Sequence, residues 1–395
     1  MQLLKLARLF FKLGIVGFGG PAAHIAMMED EVVVRRDWMS REHFLDLVGA
    51  TNLIPGPNST EMTMHVGYTV AGAAGLVVAG ASFILPAAVI TGAFAWLYVR
   101  YGTLPQVEPL LFGIKPAVLA VILGAVWRLG KTAAKSRRLI VTGAAVTAMT
   151  LLGLNEVLAL LVGGVGGALW LRATGAPALS LLPLPAALAS PQELVERLGR
   201  RLAGVVQTLG AERVAWLAQA PGAAPAVWQL GLFFLLVGSI LYGSGYVLVA
   251  FLEGWLVHDF GWLTQQQLLD AIAIGQFTPG PVLTTSTFIG YMLGGTAGAV
   301  VSTAAIFAPS FLFVLILNPW VPRLRESAWT AAFLDAVNAS AVGLMAAVVI
   351  SLGVTTLTSW QAWLIALAAA VLLLRWRVSA PWLVLGGAVV GWLIT

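Results

Sequence analysis

A Pro-Gly-Pro tripeptide that occurs twice, inside matching surroundings, constrains this chain more than any other feature. Pro55-Gly56-Pro57 returns as Pro279-Gly280-Pro281, an offset of 224 residues, and at the same offset Phe10 meets Phe234, Gly14 meets Gly238, Glu29 meets Glu253 and Asp46 meets Asp270. One residue is then dropped, and at an offset of 223 Gly67-Tyr68 meets Gly290-Tyr291, Gly72 meets Gly295 and Pro86 meets Pro309. The chain is therefore two copies of one unit, over 1–172 and 227–395, joined by a polar, Pro-containing and partly helical linker at 173–226 that is expected in the cytoplasm.

The copies belong in a membrane. Hydrophobic residues make up 59% of the chain and charged residues 10%, with a mean hydropathy of +0.91, against about 25% charged in an ordinary soluble domain. Runs such as 76–99 and 228–252 reach the ~20 residues that cross a hydrocarbon core. The apolar stretch 9–28 leads into further apolar segments rather than to a cleavage site, so no leader is expected to be removed and the mature chain is expected to start near Met1. The net charge of +5 sits between the apolar runs, where topology signals belong, and does not point to nucleic acid. The absence of cysteine removes disulfides, thiolate metal sites and cysteine nucleophiles.

The expected fold is an all-α integral membrane protein of two homologous helical repeats. Each repeat reads as a long helix (9–28; 228–252), a short helix, Pro-Gly-Pro and short helix unit (43–72; 264–293), two long helices (76–99 and 109–127; 296–318 and 331–352) and a shorter pair. If the Pro-Gly-Pro unit is re-entrant, each repeat crosses five times and the second copy is inverted. The charges favour that option: Arg35, Arg36 and Arg41 lie in a loop whose counterpart, 253–265, has no Lys or Arg. Arg128, Lys131, Lys135, Arg137 and Arg138 place their junction in the cytoplasm and both termini outside, while Lys5, Arg8 and Lys12 run against this assignment. Duplicated, broken helices are a recurrent plan in secondary transporters, where two bundles rock about a central site.

The chemistry is expected at the breaks. Two prolines around a glycine cannot sit in a regular helix, because proline lacks the amide proton and pushes its predecessor out of the helical region. A break at membrane depth survives only when buried in protein or lining a wet cavity, and the helix that restarts after it offers free N–H groups and a partial positive charge to an anion. Asn58, Ser59 and Thr60 stand after the first break, and Thr284, Thr285, Ser286 and Thr287 after the second. Hydroxyl residues also cap helices with no ligand in view. The candidate substrate-contacting set is Asn52, Pro55, Gly56, Pro57, Asn58, Ser59, Thr60, Gln276, Pro279, Gly280, Pro281, Thr284 and Thr285, with Gly19 and Gly20 from the Gly17–Pro21 interruption of the first helix, and Lys115. Lys115 lies in an apolar helix, where an ionisable group is a functional candidate, although a lysine near a helix end also snorkels. Glu61, one turn past the first break, is the candidate for proton coupling or for pairing with Lys115 or with His65 at i+4; the second copy has Thr285 there. Glu29 and Glu253 read as structural.

Gly124–Thr132 imitates a phosphate-binding loop, but the spacing is one residue too long and no strand precedes it. No zinc, diphosphate or membrane-protease motif is present, so neither an enzyme nor a cofactor nor a metal is expected. A membrane-embedded enzyme would need clustered carboxylates or a nucleophile with a base; a passive channel gives less reason for duplicated broken helices.

The runs Phe-Gly-Gly-Pro at 18–21, Asn-Leu-Ile-Pro-Gly-Pro-Asn-Ser-Thr-Glu at 52–61, Phe-Ile-Leu-Pro at 83–86 and Phe-Thr-Pro-Gly-Pro at 277–281 resemble the chromate ion transporter family, in particular its long two-domain members. The resemblance covers nearly all of the chain apart from the linker. It implies export of chromate across the bacterial inner membrane, driven by membrane energy, with sulfate as competitor or alternative substrate, and important positions concentrated in the first half. Its partners are then chromate or sulfate and membrane lipid, with a homodimer left open. The second copy departs from the family pattern at Ser244 and Gly245, where the first has Gly20 and Pro21.

Overall fold

The computed structural model describes residues 2–18, 20–51, 54–102, 104, 107–172, 224–242, 245–318 and 328–394. Nearly all of the expected linker lies outside the described residues. Among them every regular element is helical, and the α-helices of the two copies follow in the same order, the second copy adding short 3-10 turns at Gly245–Val247 and Val282–Thr284. The first contains α1 (Gln2–Val16), α2 (Pro21–Glu29, continued by a π-turn at Asp30–Val34), α3 (Arg41–Thr51), α4 (Asn58–Tyr101), α5 (Glu108–Ala133), α6 (Arg137–Leu151) and α7 (Glu156–Arg172). The second contains α8 (Val227–Ile240), α9 (Leu248–Phe251, continued by a π-helix at Leu252–Asp259), α10 (Gln265–Phe277), α11 (Thr285–Leu317), α12 (Ala328–Thr356), α13 (Trp360–Arg375) and α14 (Ala380–Ile394). Segments 58–101, 108–133, 282–317 and 328–356 are long and apolar enough to span a bilayer.

The first helix of each copy is not one long span, which corrects the expected 9–28 and 228–252 helices. Lys12 Nζ reaches Glu31 Oε1 at 2.9 Å, whereas a continuous helix rising ~1.5 Å per residue would hold those residues about 28 Å apart. The chain folds back between α1 and α2, where Gly20 takes φ 78° and Pro21 starts α2 at the helical position proline tolerates best. The second copy folds back in the same way after Ile240, which sets Phe233 against Trp255 with ring centroids 5.7 Å apart.

A second fold-back follows each Pro-Gly-Pro. Helix α4 bends at Ala71 (φ −147°, ψ 28°) and Gly72 (φ 60°, ψ −153°), and α11 bends at Gly294 (φ −139°, ψ 18°) and Gly295 (φ 61°, ψ −152°). The arms on either side then touch through glycine: Gly67 against the backbone of Gly75, and Gly290 against that of Gly298. A methyl group at either contact would overlap the facing carbonyl, so the close approach requires glycine at these positions.

The copies interlace. Helices α6 and α7 of the first copy pack on α12 of the second, and α13 and α14 of the second pack on α5 of the first, while α4 lies against α11 in the centre. Small residues permit this: Gly113 faces Gly387, and Gly391 faces Gly113 and Pro109, backbone to backbone. Gly343 faces the Gly143 carbonyl, and Thr147 Oγ1 donates to Gly343 O at 2.9 Å. Close backbone approach replaces the hydrophobic drive that lipid cannot supply.

Candidate functional site

Each Pro-Gly-Pro corner is held by the other copy. The Gly56 amide donates to Leu241 O at 2.6 Å, and the Gly280 amide donates to Gly17 O at 2.8 Å. Gly17 and Leu241 are equivalent positions, each at the fold-back of a first helix. Backbone groups released by one break therefore find partners at the other, as burial away from water demands. Gly17 O also accepts from His24 Nε2 at 2.9 Å.

Beneath these shared bonds the corners differ. At the first, Glu61 is fully buried; Ser310 Oγ donates to its Oε1 at 3.4 Å, while Oε2 and the Thr60 hydroxyl have no hydrogen-bond partner. His65, on the same helix, directs Nδ1 to Asn318 Oδ1 at 2.8 Å. The expected Glu61–His65 pairing is thus not formed, because each has a partner from α11 or its C-terminal end. At the second corner, Thr285 stands where Glu61 does, and Ala87 where Ser310 does. The hydroxyls of Thr284, Thr285 and Ser286 donate to carbonyls three residues back, those of Pro281, Val282 and Leu283, at 2.8 Å each. Such back-bonding uses the protons that were expected to face an anion.

A cavity of about 500 Å³ abuts the second corner. Its buried end is formed by Gly17, Gly20, Tyr246, Gln276, Thr278 and Gly280. Its exposed end carries Arg128 and Lys131 from the last turns of α5, and Arg377 from the α13–α14 turn. None of the three cations has an acidic partner among the described residues; Lys131 instead lies over the Trp127 ring at 4.9 Å. Arg377 adopts φ 55°, unusual for a residue with a side chain, in the turn that brings it to the cavity. Among the described lining residues none is acidic. The Tyr246 hydroxyl donates to Gln276 Oε1 at 3.2 Å, while Gln276 Nε2 is buried without a partner.

Of the expected site residues, Gly20, Gln276 and Gly280 meet around this cavity, and Pro279 borders an apolar groove beside it, with Phe18, Phe94 and Trp382. Pro55, Gly56, Pro57, Ser59, Thr60 and Glu61 are buried around the first corner, with Asn58 half-buried. Asn52 and Gly19 lie outside the described residues. Lys115 does not line the cavity; it lies half-buried in the field of Asp270 and Glu108, and Asp270 receives the Tyr98 hydroxyl at 2.7 Å. Sequence reasoning missed Tyr246, Thr278 and Arg377 and read Arg128 and Lys131 only as topology markers. Tyr246 and Arg377 align with Ala22 and Leu154 of the first copy, so the duplication gave no signal for them.

The chromate transporter family pattern matches residues 4–168 and again 228–392. The chain belongs to the chromate transporter family. A chromate transport protein of Cupriavidus metallidurans is 31% identical over 98% of this chain and 92% of its own length. A probable chromate transport protein of Synechococcus elongatus is 32% identical over 96% and 91%, and a chromate transport protein of Pseudomonas aeruginosa 32% over 88% and 80%. No solved structure matches the chain significantly. Family and apolar helices together make it a multi-pass membrane transporter and not an enzyme.

Proposed function

We propose that the chain exports chromate, a tetrahedral dianion, from the bacterial cytoplasm across the inner membrane, with sulfate as a competing substrate, and so confers chromate resistance. The observation that carries the proposal is the cavity that runs from Arg128, Lys131 and Arg377, which have no acidic partner among the described residues, to the Gly280 corner without an acidic residue among its described lining. Its cationic end coincides with the basic α5–α6 junction, which the positive-inside rule assigns to the cytoplasm. An anion would enter from that side, drawn by the exposed charges. An interior-negative potential favours its exit by about 2.3 kcal/mol per charge per 100 mV, so a dianion gains roughly twice that. The reciprocal Gly56–Leu241 and Gly280–Gly17 bonds fit inverted copies related by a two-fold axis, with the closed first corner as the counterpart that opens on the other side.

Glu61 is the candidate for proton coupling, since it is the buried acid at the first corner and its Oε2 has no hydrogen-bond partner among the described residues. The test is chromate uptake into inverted vesicles, with the potential and the proton gradient collapsed separately and with sulfate added. Uptake should fall when the potential is removed, and sulfate should compete; flux indifferent to both gradients would exclude secondary transport. In Glu61→Gln the residual flux should lose its response to the proton gradient and keep its response to the potential. A variant that responds to both as the parent does would remove Glu61 from coupling.

A further inference from the structure

We infer that Gln276, oriented by Tyr246, turns only N–H donors into the buried end of the cavity, and so favours fully deprotonated tetrahedral dianions over oxyanions that still carry a proton, such as hydrogenphosphate and hydrogenarsenate. The inference rests on the transport reading for its substrate and adds a selectivity element to the same site.

A carboxamide has one accepting and one donating end, and its flip decides what a ligand meets. Here the Tyr246 hydroxyl donates to Gln276 Oε1 at 3.2 Å, so the amide group points its two N–H donors elsewhere. Gln276 is only 7% exposed and its Nε2 has no partner, an arrangement that is costly unless a ligand completes it. Two of the backbone acceptors nearby are already engaged: Gly17 O takes the Gly280 amide and His24, and Ile274 O takes the Thr278 amide and hydroxyl. The exposed end adds only cations, and no carboxylate is present among the described lining residues.

Sulfate and the chromate dianion offer only acceptors, which suit the two unpartnered N–H groups of Gln276. Hydrogenphosphate has the same shape and charge but one O–H, which the Gln276 amide, turned to donate, does not accept. A site with an unmet polar group rejects the mismatched ligand far more strongly than a site that differs in size. The first copy has Ala22 in place of Tyr246, so this element belongs to the second copy alone.

The experiment is competition against chromate uptake in proteoliposomes holding the full chain, together with isothermal titration of purified protein with sulfate and with phosphate. Sulfate should compete at concentrations at least about tenfold below phosphate. Tyr246→Phe frees the amide to flip and should narrow that ratio; Gln276→Glu supplies an acceptor and should narrow it further or reverse it. Gln276→Met, which keeps the bulk and removes the donors, should weaken sulfate and leave phosphate weak; it serves if the glutamate variant does not fold by size-exclusion. Equal competition by sulfate and phosphate in the parent, or a ratio unmoved in all folded variants, would overturn the inference while leaving chromate transport intact. Absence of chromate flux would instead remove the transport reading, and the titrations would still decide whether the site discriminates.

Discussion

Gly280→Ala should abolish chromate flux, and Gly56→Ala should prevent accumulation of folded protein. Both glycines sit at positive φ, 89° and 145°, where a side chain is strained by about 1–3 kcal/mol. A Cβ on Gly280 would lie 2.7 Å from the Ala87 Cβ and 3.1 Å from Gly14 O, so the corner would have to leave the first copy and break its bond to Gly17. A Cβ on Gly56 would overlap Glu61 Oε1 and Ser310 Oγ, which have nowhere to go in a fully packed interior. Overpacking of that kind adds about 1–3 kcal/mol more, a large part of the 5–15 kcal/mol that holds a typical native state. The control is Gly153→Ala, at φ 90° with nothing within 4 Å, which meets the backbone strain alone. Thermal melting in detergent, followed by size-exclusion and by flux, separates the cases. If Gly280→Ala melts and transports like Gly153→Ala, the corner is not held as described.

Neutralising Arg128, Lys131 and Arg377 together should raise the chromate concentration needed for half-maximal uptake roughly 100-fold. Each cation is exposed and therefore screened, so an individual contribution of about 1 kcal/mol is reasonable, and three give about two decades. The parent should also lose apparent affinity as ionic strength rises, and the triple variant should lose less, because screening acts on the charges it no longer has. Arg137→Gln with Arg138→Gln removes charge from the same junction but not from the lining of the cavity, and should leave the half-maximal concentration within about twofold, as expected for charges screened at a distance. An equal effect from the two sets would mean that net charge, rather than the vestibule, governs uptake.

Much of this architecture was legible in the sequence because duplication writes the same constraint twice. The Pro-Gly-Pro breaks, the Gly72 and Gly295 corners and the matched succession of helices all follow from positions that align at offsets of 224 and 223. What stayed hidden depends on distant partners. An apolar run from 9 to 28 has the length of a span, and only the Lys12–Glu31 bridge reveals that the chain doubles back. The glycines of α5 and α14 look like ordinary membrane-helix glycines until Gly113 is seen against Gly387. Gln276 was legible as a candidate beside a break, but its role depends on Tyr246, thirty positions away and present in one copy only. Lys115 shows the opposite case: a residue conspicuous by type that lies half-buried and away from the cavity.

The interlacing of α5 with α13–α14, and of α12 with α6–α7, determines which bodies can move. A cycle that swung residues 1–172 rigidly against 227–395 would tear glycine seams such as Gly113–Gly387 in every turnover. The rigid units must instead be composites drawn from both copies, so any hinge lies within each copy and not along the boundary between them.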